Sequence, residues 1–270
     1  MRKKIDGLCI RLVGLGLFVV LVVLSSCNFM PDLHEEIFIA QKSARDENYQ
    51  RSIKLYEDLL RKNPPIKIKE KIFFRLSELY AFHVGDNLKA VRYLEQLRKE
   101  TEDPAWLVKV EERLGEIRFV QLKDFKKAKD NYTNLVNFRP KLERNDFYEF
   151  RLAQAYLESG DLQGSLKIFR KIVDEKNHQY SLDALYFIGL AYFQIANWDQ
   201  ALFFWQDYVA KEKSREKIAE VKFFMGNIYE TKEKFDLAYE TYYSIIGDYP
   251  NTDVLKSRIK SLVDRVQKKS

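Results

Sequence analysis

The chain has 270 residues, of which 46% are hydrophobic and 14% aromatic, against only ten glycines and six prolines. That is ample apolar surface for a sizeable core, and the shortage of turn formers excludes a sandwich or barrel full of tight turns and points to long helices. The formal charge of +6 falls to +3 once the first 26 residues are set aside, because these hold Arg2, Lys3, Lys4 and Arg11 against Asp6 alone. Interspersed Lys and Glu at that net charge lack the clustered basic footprint that nucleic-acid binding needs.

Residues 1–11 carry the positive charge, and residues 12–24 then run thirteen positions interrupted only by glycine. This is a signal-peptide layout, and thirteen helical residues reach about 20 Å, short of a hydrocarbon core of about 30 Å, so cleavage is expected rather than a membrane span. The run ends in Leu24-Ser25-Ser26-Cys27, which resembles the bacterial lipobox. The resemblance implies cleavage after Ser26, acylation of Cys27 and, since Asn28 and not Asp follows, sorting to the outer membrane with the chain facing the periplasm. Cys9 would leave with the signal, so the mature chain would hold no free thiol or disulfide and would depend on packing alone. A signal peptide over 1–26 and an acylated cysteine with a short linker over 27–32 are therefore expected.

Six segments over 33–251 share one grammar: an apolar-periodic helix, a short break, and a second helix with a small residue near its start. The small residues are Ser52, Ala90, Ala128, Ser165, Ala201 and Ala238, spaced 38, 38, 37, 36 and 37 apart. Bulky residues flank each one, from Tyr49 and Tyr56 in the first segment to Phe235 and Tyr242 in the last. A small residue between large ones lets two helices approach closely while the large side chains fill the grooves beside the contact. The first helices repeat a large-small-aromatic pattern in Leu152-Ala153-Tyr156, Ile188-Gly189-Tyr192 and Met225-Gly226-Tyr229. Gly85-Asp86 and Gly160-Asp161 mark turns inside repeats, and Pro64, Pro65, Pro104, Pro140 and Pro250 fall between repeats. Segment two carries one extra residue before Gly85, and segment three sets Leu114-Gly115 one place early against Phe119. Beyond Pro250 a capping helix and basic tail are expected over 252–270, with Val254, Leu255, Ile259, Leu262, Val263 and Val266 on one face.

These features resemble the tetratricopeptide repeat, best from Phe147 to Asn251. The resemblance implies an all-α solenoid of six helix-turn-helix repeats with a capping helix. In such a stack the first helix of each repeat lines the concave face, which sets up the columns Phe150-Gln154-Leu157, Tyr186-Leu190-Phe193 and Phe223-Asn227-Glu230, with Phe147 beside them. Phe147, Phe150, Leu157, Tyr186, Leu190, Phe193, Phe223 and Asn227 are thus candidates for binding a protein partner, and the alternative is that these rings pack between neighbouring repeats.

A lipobox-like site, a short linker and repeats ending in Asp248-Tyr249-Pro250-Asn251-Thr252 are similar to the BamD-type lipoproteins of β-barrel assembly and to the Tol-Pal TPR coordinators, and less closely to type IV pilotins. The similarity implies a scaffold anchored by lipid and binding protein partners in an envelope complex; a pilotin-like role or small-ligand carriage in the groove are the alternatives. No catalytic constellation, cofactor motif or metal-ligand spacing stands out. His34, His83 and His178 lie in different repeats and read as partly exposed helix residues.

Overall fold

The computed structural model describes residues 29–269, which form thirteen α-helices and no strand. Six pairs follow in order: α1 (Phe29–Arg45) and α2 (Tyr49–Arg61), α3 (Ile66–Glu78) and α4 (Asn87–Glu100), α5 (Pro104–Glu116) and α6 (Phe125–Asn137), α7 (Asn145–Glu158) and α8 (Leu162–Asp174), α9 (Ser181–Gln194) and α10 (Trp198–Lys211), α11 (Arg215–Thr231) and α12 (Phe235–Tyr243). Helix α13 (Thr252–Lys269) ends the series. Cys27 and the signal sequence lie outside the described residues. The linker expected over 27–32 is helical from Phe29 onward, and Pro31 is tolerated because it falls in the first turn, where no intrahelical N–H bond is lost. The chain divides into two compact units, one ending at Ile117 and one beginning at Arg118.

The period read from sequence is a packing period. Ser52, Ala90, Ala128, Ser165, Ala201 and Ala238 are all fully buried, as are Ala40, Ser77 and Ala153 at the equivalent place in first helices. Where that place is glycine the fit is tighter still: a Cβ on Gly189 would lie 2.2 Å from Trp205 Nε1, and one on Gly226 2.4 Å from the Tyr242 ring. In the second unit the core runs through Phe169, Ile172, Leu185, Ile188, Trp205, Val221 and Ile228. Helix α13 closes it by burying Leu255 and Leu262 against Ala219, Ala238 and Tyr242, at about 1.5–3 kcal/mol for each leucine. Asn251 caps α13 by accepting the Val254 N–H at 3.1 Å.

Each repeat turns in the same way. The residue before the second helix's cap is left-handed, with φ between 51° and 83° at Gly85, Lys123, Gly160, Ala196 and the like, and 54° at Glu233. In five repeats the cap itself, Asn48, Asp86, Asp124, Asp161 or Asn197, accepts the N–H three residues on. In repeats one, four, five and six the cap residue's own N–H returns to the carbonyl five residues back, as in Asp161 to Tyr156 at 2.9 Å and Asn197 to Tyr192 at 3.0 Å, a bond that satisfies an orphan helix carbonyl. Glycine suits the left-handed position, yet four of the six turns do without it.

The irregular segments two and three have a physical resolution. Eight residues separate Ala153 from its cap Asp161, and Gly189 from Asn197, whereas nine separate Ser77 from Asp86 and Gly115 from Asp124. In those two repeats alone the first helix widens into a π-helical turn, at Leu79–Val84 and Ile117–Gln121. A π turn absorbs one extra residue without ending the helix. In repeat three the cap N–H accordingly reaches six residues back, from Asp124 to Arg118 at 2.8 Å.

Candidate functional site

The aromatic columns on the first helices of the second unit are largely spent on packing. Phe150 and Leu157 are 8% and 6% exposed and belong to the core, which corrects their expected place in a binding groove. Phe150 stacks on Tyr180 at 4.7 Å and meets Phe169 and Phe187 edge-on, so its ring fills the seam between α7, α8 and α9. Phe193 is held by Trp198, Trp205 and Phe224, all within 5.7 Å. Phe223 stacks on Tyr249 at 4.5 Å. Tyr186 packs on Tyr208 and lends its backbone carbonyl to the Trp205 indole N–H at 3.1 Å; burial pushes its hydroxyl pKa up. Leu190 packs against the same core. Asn227 Oδ1 accepts the Tyr242 hydroxyl at 2.6 Å. Phe147 is half-buried beneath the Arg144 and Arg151 guanidinium groups. Stacking between neighbouring repeats therefore accounts for most of these rings.

One exposed surface lies in the first unit, on a register position that the sequence columns skipped. Two residues before the small position of each first helix stand Phe38, Arg75, Arg113, Arg151, Phe187 and Phe224. The three arginines repeat one motif. Arg75 donates to Glu78 at 2.8 Å, Arg113 to Glu116 at 2.8 Å, and Arg151 to Gln154 at 3.2 Å, each across a helical turn. Arg113 also lies 3.6 Å from Glu78 and sits over the Phe82 ring at 4.9 Å. Phe38 and Phe82 are each 55% exposed, with Arg45 over the Phe38 ring.

Beside Arg45 and Arg75 opens a cavity of about 420 Å³ lined by Gln41, Arg45, Tyr49, Tyr56, Arg75, Glu78 and His83. Burial raises the Tyr56 hydroxyl pKa, and the nearby Arg75 and Arg45 charges pull it back, which places two cations close to a phenol. His83 stacks on Tyr49 at 3.9 Å and comes from the π turn, so the extra residue of repeat two shapes one wall. Guanidinium groups, a phenol and two exposed rings suit a segment that brings carboxylate and aromatic side chains together.

A second cluster was not legible in the sequence. His178, expected on a partly exposed helix, is in fact buried in the loop between α8 and α9, with its side chain fully shielded. Its Nε2 lies 3.6 Å from Glu149 Oε2 and 3.9 Å from Asp146 Oδ1, and Glu175 completes a group whose ligand atoms all lie within 4.8 Å of one another. Burial opposes ionisation of Glu149, but the Lys171 ammonium at 2.8 Å outweighs it and holds the carboxyl below its usual range.

Residues 149–175, covering most of α7 and α8, match the family model of the tetratricopeptide repeat. The C-terminal part of a repeat protein from Cytophaga hutchinsonii superposes with a TM-score of 0.64 at 14% identity, over 89% of this chain and 92% of that one. The fold is the tetratricopeptide-repeat fold. A signal-transduction ATPase of Pyrococcus horikoshii with a tetratricopeptide repeat sensor superposes at 0.59 and 13% identity, over 87% of this chain but 39% of its own length. PilW, described as a widely conserved type IV pilus biogenesis factor, superposes at 0.52 and 12% identity, over 86% of this chain and 98% of PilW. No curated protein matches by sequence. At these identities the likeness concerns the repeat fold alone.

Proposed function

We propose that this chain is a non-catalytic scaffold of the bacterial cell envelope, anchored to the outer membrane through an acylated Cys27 and facing the periplasm, that holds a protein partner during outer-membrane protein assembly, in the manner of BamD-type lipoproteins. The observation that carries the binding role is the first-unit surface where Phe38 and Phe82 stay 55% exposed beside the Arg45 and Arg75 cavity. Packing does not need these rings, and aromatic and arginine side chains held in the open supply most of the energy of protein interfaces. The lipobox-like Leu24-Ser25-Ser26-Cys27 supports the anchor, and tandem repeats of about 37 residues that occupy nearly all of the described chain support a scaffold.

A photo-crosslinking residue placed at Phe82 in living cells tests the reading. The expected result is an adduct with one envelope protein, reduced about tenfold by Arg75→Glu and missing from the membrane fraction in Cys27→Ser, with no such adduct from the same probe at the exposed Phe203 on α10. Equal adducts from both positions, or an adduct indifferent to Arg75→Glu, would refute it. A second reading, assistance to type IV pilus assembly, draws on the likeness to PilW, and the identity of the crosslinked protein separates the two. A small-ligand carrier would give no adduct and a bound molecule in native mass spectrometry.

A further inference from the structure

Buried polar atoms in proteins nearly always find partners, so several unpartnered ones in a single place call for an explanation. Glu149 Oε2 and His178 Nε2 have no hydrogen-bond partner, and neither does Oδ1 of Asn145, whose side chain bonds to Glu149. The Glu149 and His178 side chains are 6% and 0% exposed. We propose that Glu149, Glu175 and His178 bind one divalent transition cation of the Zn²⁺ class, cross-linking α7 to the loop between α8 and α9.

The donor set selects the cation. An imidazole nitrogen with two carboxylate oxygens suits zinc and its neighbours, whereas Mg²⁺ and Ca²⁺ ask for six or more oxygens. Lys171 engages Glu149 Oε1 and leaves Oε2 turned toward His178. Tetrahedral zinc with bonds of about 2.0–2.1 Å sets neighbouring ligand atoms about 3.3 Å apart, close to the 3.6 Å between Glu149 and His178. Glu175 is the ligand that moves to close the site, since it is half-buried and begins the loop. Asp146 Oδ1 lies 3.9 Å from Nε2 but stands outside that three-ligand group, with its Oδ2 accepting the Gln179 N–H at 3.2 Å, so the fourth position is left to water. Lys171 and Glu175 also line an open groove of about 820 Å³.

Binding has a built-in signature. His178 Nδ1 accepts the Tyr180 N–H at 3.2 Å, a bond that calls for the tautomer with its proton on Nε2. A cation on Nε2 moves that proton to Nδ1, and the Tyr180 amide must swing away. The loop can give, because Lys176, Asn177 and Gln179 are exposed and Asn177 already takes a positive φ of 66°.

Calorimetry and thermal melts on the full-length, chelator-stripped protein test the site with Zn²⁺ alone, and with Mg²⁺ as the hard-cation control. One equivalent of Zn²⁺ is expected, with a melting temperature about 5 °C higher at an excess of about a hundred times the dissociation constant, and no response to Mg²⁺. Glu175→Gln, at a half-buried loop position, should leave the cation-free melt unchanged and weaken binding by at least about tenfold. His178→Gln should abolish it, and ¹⁵N spectra of the wild type should show the ring proton passing from Nε2 to Nδ1 on saturation. Wild-type affinity in Glu175→Gln, uptake with no defined stoichiometry, or a proton that stays on Nε2 would each overturn the proposal.

Discussion

Gly189→Ala pits two effects of known size against each other. Glycine inside a helix is worse than alanine by about 0.8–1.0 kcal/mol, so propensity alone favours the substitution. At this place, however, the new Cβ would lie 2.2 Å from Trp205 Nε1, 2.3 Å from Cδ1 and 2.7 Å from Cε2. Ordinary contact begins near 3.4 Å, so the indole or the helix must shift by about 1 Å. Trp205 has nowhere to go: it is fully buried, stacks on Phe224 at 5.6 Å and donates its N–H to the Tyr186 carbonyl at 3.1 Å. Overpacking costs about 1–3 kcal/mol, and loosening that hydrogen bond adds about 1 kcal/mol. The steric side wins, for a net loss of about 1–3 kcal/mol and a melting temperature lower by about 3–10 °C, measured by circular dichroism. Trp205→Leu should cost stability by itself, yet the double variant should be markedly more stable than the sum of the two losses, because the clash disappears with the indole. A melting temperature for Gly189→Ala equal to or above that of wild type would refute the contact argument.

Two further outcomes follow from the turns and the buried tyrosines. Lys234 stands where the five other repeats place a capping Asn or Asp, and it makes no side-chain cap, so Lys234→Asn should stabilise by about 1 kcal/mol in urea titrations; asparagine is chosen because Asp would face the nearby Asp199. Burial and a hydrogen bond to Glu57 push the Tyr80 hydroxyl pKa up to about 12, and Tyr93, Tyr208 and Tyr242 are raised for similar reasons. Since unfolded tyrosines ionise near about 10, stability should hold level below that pH and fall as the pH climbs toward 12; ultraviolet titration showing every tyrosine ionising near 10 in the folded protein would contradict this.

The fold was legible because it is written in local, periodic signals. Small residues at 36–38 spacing with large ones around them map onto buried helix crossings, and the prolines fall at the breaks between repeats. What escaped depends on which side of a helix meets a neighbour. Phe150 and Leu157 lie on helical columns that looked accessible, but adjacent repeats close over them. The arginine motif lay one column away, and its regularity emerges only when Ser77, Gly115 and Ala153 are aligned as equivalent. Glu175 and His178 stand three apart and could have been noticed, but Glu149 comes from α7, the first helix of the pair that Glu175 ends, and only the packing of α7 on α8 brings it alongside. The left-handed Lys123, Ala196 and Glu233 were invisible because no glycine marks them.

The π turns at Leu79–Val84 and Ile117–Gln121 have a consequence for how such a chain can change over evolutionary time. A helix that swallows a surplus residue as a local swelling keeps the next cap, and every crossing after it, in phase. Length errors of one residue therefore stay confined to the repeat in which they arise, and the rest of the array is shielded from a frameshift in its packing. The swelling also pushes side chains such as Phe82, His83 and Val84 into the open. An insertion tolerated for structural reasons thus becomes raw material for a new surface, on the same helices where the cavity of the first unit lies.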